Sequence, residues 1–137
     1  MSRLPLIASL AVLVLAMPAL AQDVTEGESE FRKCKACHSI TADDGTAIVK
    51  GGKVGPNLYG VIGRVVASEP DFKYGESIAA VGATGLVWDE AELAAYVTDP
   101  KAWLIGKTGD SAAKTKMTFK LAKHQADVAA YLASTGQ

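Results

Sequence analysis

An apolar run from Leu4 to Ala16, broken only by Pro5 and Ser9, stands behind Met1-Ser2-Arg3. Pro18 and Ala19-Leu20-Ala21 follow it. A basic start, a short apolar stretch and a small-x-small site predict a secretory signal peptide over 1–21, cleaved after Ala21. The run is short for a membrane span, which disfavours the alternative of an uncleaved anchor. The remaining 22–137 suit one small domain.

Beyond Ala21 the pattern predicts helices at the two ends of the domain and in its third quarter, with irregular chain between them. Thr25 and Glu28 have capping-box spacing, and Asp23, Glu26, Glu28 and Glu30 favour a helix N-terminus there. This predicts a helix from about Glu26 to Lys35, with Gly27 and Phe31 on one face. Residues 39–57, rich in Gly, Asp and Thr, read as loop. Turns follow around Leu58–Ile62, then irregular chain to about Val87. Asp89 and Glu92 repeat the capping spacing, with Leu93, Tyr96 and Val97 at helical intervals behind them. Asp99-Pro100 ends that helix and begins a short one through Trp103 and Leu104. Residues 106–118 read as an extended loop. Gln125 to Ala133 reads as a last helix, with Val128, Tyr131 and Leu132 on one face. No useful β alternation and no internal repeat is present, so the predicted class is all-α.

The formal net charge of −1 hides a segregation. Residues 101–123 carry six lysines against one acid, Asp110; residues 64–99 carry seven acids against Arg64 and Lys73. Charge separated in this way can steer a partner.

The chemistry is concentrated in Cys34-Lys35-Ala36-Cys37-His38, which holds both cysteines of the chain. Cys-x-x-Cys-His is the attachment signature of a c-type haem: each thiol adds to one vinyl side of the porphyrin, and the histidine becomes the proximal iron ligand. A thioredoxin-like motif requires a preceding strand that the pattern lacks. A structural zinc site requires a fourth ligand, and His124 is the only other histidine. A plain disulfide leaves His38 unexplained.

For the second axial position the residues leave two candidates. Met117 is the only methionine outside the leader, and it lies in a polar loop, Lys114-Thr115-Lys116-Met117-Thr118-Phe119-Lys120, rather than on an apolar face where methionine fills gaps. His124 sits among polar residues and reads first as a solvated surface histidine. Met117 is the preferred ligand. His/Met ligation raises the reduction potential and closes both axial sites, which suits electron transfer. A haem peroxidase or a gas sensor instead needs an open iron.

In sum the chain resembles a class I cytochrome c, most closely the bacterial cytochromes c2. The resemblance rests on Phe31–His38, on Gly55-Pro56-Asn57-Leu58 through Arg64, on Phe72-Lys73-Tyr74, Trp88 and Tyr96–Pro100, and on Lys114–Lys120. It runs in order over the whole of 22–137. It implies a fold in which the N- and C-terminal helices cross, with helices and long loops wrapped around one covalent haem. It further implies that the Pro56 carbonyl accepts from His38 Nδ1–H, that Tyr74 and Trp88 donate to a haem propionate, and that Arg64 offsets propionate charge. Thr115 would also reach a propionate, Tyr96 pack beside Met117, Leu58 lie against the porphyrin, and Gly27 and Phe31 cross the last helix near Tyr131. The segments 39–53 and 106–114 are longer than in the mitochondrial-type proteins, and the segment just before Met117 lacks the proline found there. The resemblance implies a monomeric, unanchored periplasmic one-electron carrier, not an enzyme and not a nucleic-acid binder. It would take electrons from a quinol-oxidising cytochrome bc complex and give them to a photosynthetic reaction centre or a terminal oxidase. Docking would be transient and steered by Lys33, Lys35 and the 101–123 lysines.

Overall fold

The computed structural model describes residues 21–137; the predicted signal peptide lies outside the described residues apart from Ala21. Among the described residues there are five helices and one two-stranded sheet: α1 (Val24–Phe31), β1 (Ile40–Thr41), β2 (Ala47–Val49), α2 (Glu76–Ala83), α3 (Glu90–Thr98), α4 (Pro100–Thr108) and α5 (Gln125–Thr135).

The crossing of α1 and α5 organises the molecule. Gly27 presents its bare Cα to α5: a Cβ there would collide with the Asp127 carbonyl and lie 2.9 Å from Tyr131 Cβ. One turn on, Phe31 is buried with its ring 5.7 Å from that of Tyr131. Burying a side chain of this size contributes on the order of 2–3 kcal/mol. Val128, Ala129 and Leu132 continue the buried face of α5. The helix α3 packs on the other side of α5, and α4 reaches both α2 and α3.

The helix starts differ in detail from the capping-box reading. Asp23, not Thr25, caps α1, accepting from the N–H groups of Thr25 and Glu26. A carboxylate two residues earlier takes the orphan donors of an earlier first turn, so the helix begins at Val24; it runs to Phe31. The chain then continues as turns, Cys34 N–H to Phe31 O at 2.8 Å and His38 N–H to Cys34 O at 3.0 Å. Asp89 caps α3 through Glu92 N–H as the pattern anticipated. Asp99 caps α4, with Pro100 in its first turn.

Three stretches that read as irregular carry structure. Within 39–57, β1 and β2 pair antiparallel with Ile40 opposite Val49 and Thr41 opposite Ala47. The hairpin turns at Asp44-Gly45, where Asp44 accepts from Thr46 N–H and Gly45 takes a positive φ. Before Val87 lies α2, whose N-cap is Gly75 with no side-chain bond. Finally, α4 passes through Gly106 to Thr108 and stops at Gly109 in the left-handed conformation.

Candidate cofactor site

The turns after α1 leave Cys34 half-buried, Cys37 exposed and both thiols free. Burial pushes the Cys34 thiol up to about 11, and the negative charge of Glu30 pushes the same way.

His38 is held from the far end of the Gly55-Pro56 segment. Its Nδ1 donates to the Pro56 carbonyl at 2.8 Å. Burial holds its pKa below the usual imidazole range, partly opposed by that hydrogen bond. A neutral ring with its proton on Nδ1 leaves the Nε2 lone pair free for a metal. Gly55 makes the approach possible, because a Cβ there would collide with the imidazole ring. The Cys37 carbonyl accepts from Gly55 N–H at 2.8 Å. Asn57 locks the next residues: its Oδ1 accepts from Thr41 N–H at 2.9 Å and its Nδ2 donates to Thr41 O at 2.8 Å. The hairpin, the motif and the Gly-Pro-Asn segment thus form one hydrogen-bonded unit.

Met117 lies in the chain between α4 and α5, partly buried against the core. Thr115 fixes its backbone from both sides, donating to Met117 O at 2.9 Å and accepting from Met117 N–H at 3.1 Å. The Thr115 hydroxyl thus sits directly beside the methionine backbone. Burial raises the Tyr96 hydroxyl above its ordinary value, opposed by its hydrogen bond with Thr115. Tyr96 thus stands beside the methionine segment.

The remaining predicted residues form two linked clusters. Trp88 is buried, stacked on Trp103 with centroids 5.0 Å apart, and 5.2 Å from Tyr96. Trp103 Nε1 donates to Glu92 at 2.8 Å, whereas Trp88 Nε1 has no acceptor among the described residues. Backbone bonds between Trp88 N–H and Arg64 O, 2.9 Å, and between Gly63 N–H and Trp88 O, 2.7 Å, set Trp88 beside the second cluster. There Arg64 pairs with Glu69 and donates to Tyr59 O and Asn57 O. Tyr74 Oη accepts from Glu69 N–H at 3.1 Å, which leaves its own proton to donate. Leu58 packs against the core.

These positions fit a c-type haem. Such a ligand requires two thiols and a histidine with a free Nε2, and the tethered thioether is a donor that can complete its ligation. Sequence reasoning missed Gly55, Asn57, Glu69 and Trp103 as contributors. Gly55 and Asn57 flank Pro56, and a hydrogen-bond demand on Pro56 was the signal available for them. Glu69 acts through Arg64 and Tyr74, each five residues away, and Trp103 through Glu92, eleven away, with no motif to mark either.

The two charge runs do not stay apart in the fold. Lys107 of the basic stretch pairs with Glu92 of the acidic one, and Lys120 with Asp99 at 2.6 Å. Lys33 pairs with Glu30 at 2.6 Å. Lys35, Lys101, Lys114, Lys116 and Lys123 form no ion pair among the described residues. Nor is His124 the solvated histidine of the sequence reading: it is half-buried and bonded to Asp127 at 2.9 Å. Among the described residues no helix is long and apolar enough to cross a membrane.

No family model matches the chain. It is 62% identical over 135 residues to cytochrome c-550 of Paracoccus versutus, covering 96% of this chain and 88% of that one. It is 61% identical over 127 residues to cytochrome c2 of Rhodobacter capsulatus, covering 93% of each. Among solved structures it is similar to ferric cytochrome c-550 from Paracoccus versutus, with a TM-score of 0.83 and 62% identity, covering 85% of this chain and 100% of that one. The cytochrome c2 structure from Paracoccus denitrificans gives 0.83 and 60%, covering 85% and 98%.

Proposed function

The chain belongs to the class I c-type cytochromes, electron-transfer proteins with one covalent haem c, and within that family we propose that it is a periplasmic one-electron carrier with His38 and Met117 as axial iron ligands. The haem supplies the one-electron couple when bound; the chain sets its surroundings. Cys34 and Cys37 hold the thioether links. His38 offers Nε2 because its Nδ1 proton is engaged at 2.8 Å by the Pro56 carbonyl, and this bond is the observation that carries the reading. Met117 offers its sulfur from a backbone that Thr115 holds in place. A thioether and a low-dielectric surrounding both favour the ferrous state over the more highly charged ferric one. Keeping the same ligands in both states requires little rearrangement.

Trp88 Nε1–H and the Tyr74 proton are directed to the haem propionates. Arg64, with Glu69 taking part of its charge, offsets the propionates, and Tyr96 packs beside Met117. The segment 1–21 exports the chain and is removed. In support, the solved Paracoccus versutus structure is matched in full by 85% of this chain. The mature protein is a monomer that carries electrons from a cytochrome bc complex to a photosynthetic reaction centre or terminal oxidase. Lys35, Lys101, Lys114, Lys116 and Lys123 are its steering charges, since acids in the fold already engage Lys33, Lys107 and Lys120.

The test is the rate at which membranes holding a quinol-oxidising cytochrome bc complex reduce the exported protein, followed against ionic strength. Steering requires a steep fall in rate as the Debye length shrinks from about 30 Å at 0.01 M salt to about 10 Å at 0.1 M. A salt-independent rate contradicts the steering, and no reduction contradicts the donor.

A further inference from the structure

Away from the cofactor site, the start of α5 meets α1 in a cluster that the electron-transfer role does not use. Glu26 and Glu30 are four residues apart on α1 and share a face. Opposite them stands His124, the residue before α5. One ligand atom from each of Glu26, Glu30 and His124 lies within 4.8 Å of the others. His124 Nε2 is 3.6 Å from Glu26 Oε1, beyond a hydrogen bond, so no direct bond spans that gap.

The imidazole is oriented from behind. Asp127 Oδ2 engages Nδ1 at 2.9 Å, and Asp127 Oδ1 accepts from Asp23 N–H at 2.8 Å. A carboxylate on Nδ1 fixes the tautomer that presents the Nε2 lone pair, as in carboxylate–histidine–zinc arrangements. Glu30 is 7% exposed, and Lys33 engages its Oε2, leaving the other carboxylate oxygen. Glu26 and His124 are open enough for an ion to enter.

We propose that Glu26, Glu30 and His124 form a binding site for a borderline divalent cation of the zinc class, with Asp127 orienting the histidine, and that the bound ion clips α1 to α5. The donor set is one nitrogen and two carboxylate oxygens, with water completing four ligands. Donor atoms on a common tetrahedral zinc lie roughly 3.4 Å apart, from bond lengths of about 2.1 Å. The 3.6 Å between His124 Nε2 and Glu26 Oε1 is already near that value. Two carboxylates offset the cation's charge, and Lys33, half-exposed, can swing aside. The site differs from the haem ligands in every residue.

The experiment uses the haem-loaded mature protein and Zn2+ alone as the probe, with thermal unfolding by circular dichroism and the His124 ring resonances by NMR. The expected result is a rise in melting temperature with Zn2+ at micromolar concentration and a shift of the His124 resonances. His124→Gln should abolish both, and Glu26→Gln should weaken binding at least tenfold. Asp127→Asn should weaken it about ten- to a hundredfold, the usual range for an orienting partner. A wild type that does not respond to Zn2+ overturns the site. So does a His124→Gln protein that responds like the wild type. If His124→Gln does not fold, wild-type affinity in Glu26→Gln overturns it.

Discussion

The two halves of the cofactor site are built to different standards. On the His38 side, bonds distant in sequence fix the ligand. Pro56 O holds the ring, Gly55 lies against it, and Asn57 ties the segment to β1. On the Met117 side, the backbone bonds of the ligand come from Thr115, two residues away. Outside contacts reach that stretch at Lys114 N–H to Ser77 Oγ, 2.9 Å, at Lys116 Nζ to Lys73 O, 3.0 Å, at Lys120 Nζ to Asp99 Oδ2, 2.6 Å, and at Leu121 N–H to Val97 O, 2.8 Å. The histidine is part of a folded unit, whereas the methionine rides on a tethered loop. Long-range closure resists local opening, while a loop with few distant contacts opens at low cost. Ligand exchange is therefore expected on the methionine side.

The largest break in this comparison is Met117→Ala. It should leave His38 in place and open the sixth position, so that the reduced protein binds carbon monoxide. The reduction potential should fall by tenths of a volt, within the roughly 0.8 V range that axial ligands span; a redox titration measures it. An unchanged potential would remove Met117 from the iron.

Next in size is Gly55→Ala, which tests the His38 side. Its Cβ would collide with the imidazole ring. Overpacking of this kind costs about 1–3 kcal/mol, and the upper end is expected where backbone meets a ring held by its own hydrogen bond. Denaturant unfolding of the haem-loaded protein measures it. A change below about 0.5 kcal/mol would mean that the His38 unit is looser than its hydrogen bonds imply.

How much of this was legible in the sequence follows the same division. The motif and Met117 each stand out because chemistry restricts residue type at those positions, whereas Pro56, which acts through its backbone carbonyl, came only with the resemblance. Helical spacing put Gly27 and Phe31 on one face, but their crossing with α5 at Tyr131 came only from the family resemblance. The missing elements lacked local signals. Gly75 caps α2 without a side chain, and Val81 is its only buried residue. The strands β1 and β2 are too short for alternation, leaving Asp44-Gly45 as the one hairpin sign. Gly106 made the second half of α4 read as loop. Thr25 mimicked a cap because Asp23 two residues earlier had no periodic partner to mark it. The charge runs misled for another reason: Lys107–Glu92 and Lys120–Asp99 are pairings made by tertiary structure.

Thr115→Val should be smaller in effect and confined to the methionine side. It keeps the shape and removes both bonds to Met117, a loss of roughly 1–2 kcal/mol at about 1 kcal/mol per bond. Carbon monoxide should then bind the reduced protein faster than in the wild type, with His38 unaffected. A rate equal to the wild type would show that Thr115 does not tether the ligand.

The smallest effect is expected from acid. Lys120, then the N–H of Ala102, holds the Asp99 carboxyl below its usual range, and Lys33 does the same for Glu30. A lowered folded-state pKa means that the unfolded chain binds more protons in that window. Stability from these pairs is therefore present above the ordinary carboxylate range, near pH 4, and lost as pH falls through the folded values. Asp99→Asn should flatten part of the acid slope of the melting temperature. An unaltered slope would mean that the Lys120 pair contributes nothing.

The most direct measurement is the optical spectrum of the exported wild-type protein, ferric and ferrous, with and without carbon monoxide. The account requires a low-spin c-type spectrum that the gas leaves unchanged, because His38 and Met117 fill both axial positions. A high-spin spectrum, or prompt binding of the gas at neutral pH, would contradict it.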